Sequence, residues 1–178
     1  MANLSKVFLI LSSTAVLSFG QSGPASSPLI ASSHDLFTQI SQLILRSADK
    51  VPENLWSFRA TPEVRTIGQL FAHIADASNH ICALATDGKR LDISIEETVK
   101  TKAEIITALK REFAGCEADY AKLTPAAAVQ VIDIGGGVKR TRIGEMDYEV
   151  AHTWEHYGNL VTYMRLNKIV PPSSEPAK

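Results

Sequence analysis

Two histidines stand one helical turn apart near the end of the chain, in the run AHTWEHYGNLVTYMR, as His152 and His156. On a helix this spacing puts both imidazoles on one face, close enough to share a metal ion. They belong to a longer polar line, Glu145, Glu149, His152, His156, Asn159 and Tyr163, whose 4-3-4-3-4 spacing is that of a buried seam. His73 is a third candidate, on the edge of an apolar stripe between Leu70 and Ala77. Three histidines from two facing helices leave coordination positions for water or substrate, as catalytic metal sites do. The competing readings are two solvated histidines on the last helix and an interior His73 with a local hydrogen bond. His80, about 10.5 Å beyond His73 along the helix axis, lies too far for the same ion and reads as pocket lining or surface. His34 reads as a surface residue. Glu149-x-x-His152 matches half of a carboxylate di-iron pattern, but no second Glu-x-x-His exists in the chain.

Around the triad stand residues with less specific signals. Glu149 is the candidate general base or metal-orienting carboxylate, against a solvated glutamate. Asp76, three residues after His73, has the same two readings, and Asn159 is a candidate for the pocket. Arg140 and Arg142 either attract an anionic substrate or solubilise a loop. Gly158 sits in mid-helix, where a close helix or ligand approach would explain it.

Four helical patterns are available to position these groups. The first starts near Asp35, carries Leu36, Phe37, Ile40, Leu43 and Ile44, and stops before Val51-Pro52. Thr66-x-x-Gln69 is a capping box that opens the second, over 66–87, and Thr101-x-x-Glu104 opens the third, over 101–123. Pro125 closes the third. The stretch AAAVQVIDIGGGVKRTRI then predicts a short hairpin or a mobile loop, and lacks the Lys-Ser/Thr of a phosphate-binding loop. The last helix is predicted from Ile143 to about Lys168. Four such helices bury their apolar stripes together as an all-α four-helix bundle over 30–170.

The remaining composition bounds the partners. The 178 residues carry 18 Lys+Arg and 19 Asp+Glu, a formal charge of −1, and this balance gives no footprint for nucleic acid. Lys6, the apolar VFLILSSTAVLSF and the small residues Ser18 and Gly20 predict a cleaved export signal over 1–20, hence a periplasmic or secreted protein. The apolar run is shorter than the ~20 residues of a permanent membrane span. The Pro/Ser-rich segment 171–178 is predicted to be a disordered tail.

At FRATPEVRTIGQLFAHIADA and AHTWEHYGNLVTYMRLNKIVPPSS the chain resembles the DinB/YfiT-like family of metalloenzymes, with the resemblance running over about 35–174. It implies a bundle of up-down-down-up topology and one divalent metal, zinc or nickel, on His73, His152 and His156. It also implies parallel second and third helices, which bring Cys82 and Cys116 to similar heights. A Cys82–Cys116 disulfide, or two buried free thiols, follows from that. Relatives that use low-molecular-weight thiols imply a thiol-dependent transferase acting on a small molecule, while a metal site alone equally allows a hydrolase. The other function classes are a non-catalytic metal- or ligand-binding module and a stress-related structural bundle. An exposed bundle face is compatible with a homodimer.

Overall fold

A computed structural model describes residues 27–87 and 94–176. The expected export signal at 1–20 lies outside the described residues. Four long helices, α1 (Pro28–Lys50), α2 (Ile67–Asp87), α4 (Lys102–Lys122) and α6 (Arg142–Leu166), form a helical bundle. Two four-residue helices, α3 (Ile95–Thr98) and α5 (Pro125–Ala128), and one hairpin fill the connections. No helix among the described residues is long and apolar enough to cross a membrane.

The helices form where local and periodic signals agree. The Thr66–Gln69 box is closed in both directions, with Gln69 N–H donating to Thr66 Oγ1 and Thr66 N–H to Gln69 Oε1. The Thr101–Glu104 box closes in the same way at α4. Helix α1 starts at Pro28, earlier than its apolar pattern, because proline with its fixed φ suits a first helical turn. One continuous core links Phe37 and Ile44 of α1, Phe71 and Ile74 of α2, Leu109 and Phe113 of α4, and Leu160 and Met164 of α6. Helix α2 packs against both α4 and α6, and α1 against α6 and α4. Cys82 and Cys116 are joined in a disulfide with their Cα atoms 5.3 Å apart, which ties α2 to α4.

Between α4 and α6, Pro125 does not end an element but begins one. Thr124 caps α5 through its hydroxyl, and proline occupies the first position. The hairpin pairs β1 (Val131–Asp133) with β2 (Lys139–Thr141) antiparallel, and Gly135, Gly136 and Gly137 between them all take positive φ. Such backbone is disfavoured for residues with a Cβ, which accounts for the triple glycine. Thr141 then caps α6.

The tail differs from its expectation. Residues 171–176 are ordered on the bundle rather than free: Pro172–Ser174 form a 3-10 turn and Pro172 is buried. Ser173 N–H donates to Tyr157 Oη at 3.0 Å, and Glu175 pairs with Arg46 and Lys50 of α1. Composition alone suggested disorder, but prolines that lose little entropy on ordering need only these few tertiary contacts to dock.

Candidate metal centre

His73 faces α6 from the second turn of α2, and His152 and His156 face α2 from the middle of α6. Their ligand atoms all lie within 4.8 Å of one another. His152 Nε2 and His156 Nε2 are 3.1 Å apart, and the His73 ring centroid lies 5.3 Å and 4.8 Å from those two rings. The Nε2–Nε2 separation is close to the ~3.3 Å edge of a tetrahedral site with metal–nitrogen bonds of about 2.0–2.1 Å.

The electrostatics suit ligands. Burial pushes His73 down to about 4, helped by the Arg65 charge and by His152. Burial also takes His156 down to about 4, with His152 and His73 adding to it. His152 is lowered by burial, against an opposing pull from Glu155. All three imidazoles are therefore neutral at pH 7, the form that offers a lone pair to a cation. Nδ1 of His152 and Nδ1 of His156 are buried with no hydrogen-bond partner among the described residues. Three converging neutral rings, two of them with Nε2 atoms facing each other and with Nδ1 atoms lacking a partner among the described residues, fit one divalent ion.

The polar line on α6 is an interior seam rather than a solvated face. Glu145, Glu149, His156 and Tyr163 are all buried, and His152 is half-buried. Glu149 is completely buried, and its Oε1 accepts from Ser78 Oγ (2.6 Å) and Thr153 Oγ1 (2.9 Å) while Oε2 has no partner among the described residues. Burial raises it to about 7 against the opposing hydrogen bonds. It thus ties α6 to α2 beneath the histidines. Asn159 is exposed, and so is Gly158. A Cβ at Gly158 would meet nothing within 4 Å among the described residues, so none of them makes the close approach expected there.

Asp76 works at one remove from His73. Its two carboxylate oxygens accept the backbone N–H groups of Ile95 (2.6 Å) and Glu96 (2.8 Å), fastening α3 to α2. The fastened residue Glu96 then lies with Oε2 3.5 Å from His73 Nδ1, and its carboxylate also takes Arg65 Nε at 3.0 and 3.3 Å. Sequence reasoning missed Glu96, because a four-residue helix has no apolar period to mark it; the only local hint is the pair of acidic residues in its first turn. His80 is half-buried and outside the histidine group. His34 pairs with Glu117 across α1 and α4 and stacks near Tyr120.

The two basic residues at the entrance to α6, Arg140 in β2 and Arg142 as the first residue of the helix, make structural contacts. Arg142 Nη1 donates to Ala85 O and Thr86 O, both at 2.6 Å, satisfying carbonyls at the end of α2. Arg140 pairs with Glu145 at 2.8 Å and lies over the Tyr148 ring at 4.2 Å. These contacts give both side chains a structural role, which the sequence readings of anion attraction or a solubilised loop did not include.

Comparison with known proteins bears on the family and the fold. The family model described as the DinB superfamily matches residues 36–160. No curated protein matches the sequence. A crystal structure of a DinB-like protein from Bacillus subtilis is similar over 85% of this chain and 100% of that one, at 18% identity and a TM-score of 0.66. A DinB-like protein from Bacillus cereus gives a TM-score of 0.68 at 17% identity, over 80% of this chain and 95% of its own. A mycothiol-dependent maleylpyruvate isomerase gives 0.59 at 12% identity, over 76% of this chain and 65% of its own. At these identities the structures speak for the fold alone, whereas the family model spans most of the sequence together with all three histidines: the chain belongs to the DinB superfamily.

Proposed function

We propose that this protein is an exported, mononuclear metal-dependent enzyme, a thiol-dependent transferase acting on a small molecule, with hydrolysis as the second reaction open to the same site. The observation that carries the reading is the convergence of His73, His152 and His156 as neutral ligands from two facing helices. A divalent ion, zinc or nickel, held by these three would keep open positions and would lower the pKa of a water or thiol bound there. The chain supplies the rest. His73 on α2 and the His152–His156 pair on α6 fix the ligand set between rigid helices, and Arg65 adds a positive charge beside it. The mycothiol-dependent isomerase among the structural relatives favours thiol over water as the activated group.

Export rests on the predicted signal at 1–20 and is supported by the Cys82–Cys116 disulfide, since such bonds persist in oxidising compartments. N-terminal sequencing of protein from its native host tests this: a chain that retains residues 1–20 overturns it. The catalytic reading is tested by screening zinc- and nickel-loaded protein against thiol-conjugate, ester and amide substrates, with His152→Ala as control. Turnover of a thiol conjugate, lost in the control, is the expected result. Tight stoichiometric metal binding without turnover of any class would instead establish a non-catalytic metal-binding bundle, with or without a second copy as partner.

A further inference from the structure

We propose that Glu96 is the positioning residue of the metal centre: braced by Asp76 and Arg65, it accepts the Nδ1–H of His73 and so turns the lone pair of Nε2 toward His152 and His156. The inference rests on the metal-site reading above and assigns the outer contact that sets its affinity. A metal-ligating histidine usually donates its second ring N–H to a carboxylate, a carbonyl or water, which fixes the tautomer and the ring orientation. Among the described residues, only the His73 ring has a carboxylate beside its Nδ1. Nδ1 of His152 and of His156 has no partner among the described residues, whereas His73 Nδ1 stands 3.5 Å from Glu96 Oε2. That separation places the carboxylate beside Nδ1, beyond the length of an ordinary N–H···O bond.

The surroundings of Glu96 are built to hold it there. Asp76 accepts the backbone N–H groups of both Ile95 and Glu96, and the Ile95 side chain is buried, so the four-residue α3 is pinned from two directions. Arg65 Nε meets both oxygens of Glu96 and matches its charge. Tyr163 Oη in turn donates to Arg65 O at 3.2 Å, joining this cluster to α6. Glu96 thus faces His73 as a carboxylate already paired with Arg65. Asp76, which the sequence suggested as the direct partner of His73, thus acts through Glu96.

The test uses the full chain, zinc as the probe, and nitrogen NMR of labelled histidine. Wild-type protein is expected to show His73 as the Nδ1–H tautomer before zinc is added. In Glu96→Ala that tautomer is lost and zinc affinity, read by chelator competition, falls about 10–100-fold. Glu96→Gln keeps an acceptor oxygen and should recover most of the affinity. Asp76→Ala should reproduce the loss, and adding Glu96→Ala to it should weaken binding no further. A Glu96→Ala protein that binds zinc within twofold of wild type, with the His73 tautomer unchanged, overturns the proposal while leaving the metal site standing. A wild-type protein that binds no zinc overturns both.

Discussion

Replacing Glu149 with glutamine should make the protein more stable at alkaline pH and change little at acid pH. Burial lifts the Glu149 carboxyl from its ordinary value of 4.5 to about 7, so between these values the folded chain holds a proton that the unfolded chain has released. Stability therefore falls as pH rises through that window, and it levels off above 7. A shift of this size corresponds to about 3 kcal/mol in full, of which about 2.5 kcal/mol accrues between pH 5 and pH 8. Glutamine keeps an acceptor for Ser78 and Thr153 but never ionises, so the variant escapes this loss. His73 and His156 act the other way, because their folded values near 4 lie below 6.5 and their contribution is lost as pH falls toward 4. Both histidines are present in both proteins and cancel in the difference. Urea unfolding of the two proteins at pH 5, 6, 7 and 8, with a chelator present, measures it. A Glu149→Gln minus wild-type difference that stays flat, or that shrinks as pH rises, refutes the buried-carboxyl account.

Three other outcomes follow from the packing. The Cys82–Cys116 disulfide closes a loop with a sequence separation of 34, so reduction should lower stability by about 3–4 kcal/mol; thiol titration of unreduced, denatured protein should find no free sulfhydryl, and two would contradict the bond. Arg142→Ala should destabilise the bundle by about 1–3 kcal/mol, read by urea unfolding, because it leaves the Ala85 and Thr86 carbonyls without their donor. His156→Ala, which removes a ligand outright, should weaken zinc binding by at least about a hundredfold, while melting of the metal-free protein falls only modestly.

What was legible in the sequence was what is encoded locally. Thr66–Gln69 and Thr101–Glu104 announce two helices because each box is completed within four residues. The 4-3-4-3-4 line on α6 marked an inward face, and the structure places Glu145, Glu149, His156 and Tyr163 there. His73, on the border of an apolar stripe, was legible only as a candidate, because a stripe border does not say which helix it meets; the family resemblance joined it to the pair on α6. Contacts that depend on distant segments were not readable. Asp76 reaches Glu96 across 20 positions, and Glu96 has meaning only once α3 is pinned. Glu175 docks the tail through α1 residues 125 and 129 positions earlier, which no local pattern encodes. Arg142 likewise looked like a loop cation until the end of α2 appeared beside it.

Crystals of the full chain grown with zinc and measured on both sides of the zinc absorption edge test the central claim most directly. One anomalous peak within bonding distance of a ring nitrogen from each of His73, His152 and His156 is the predicted result. A map with no anomalous peak between α2 and α6, or with zinc bound only elsewhere on the surface, would contradict it.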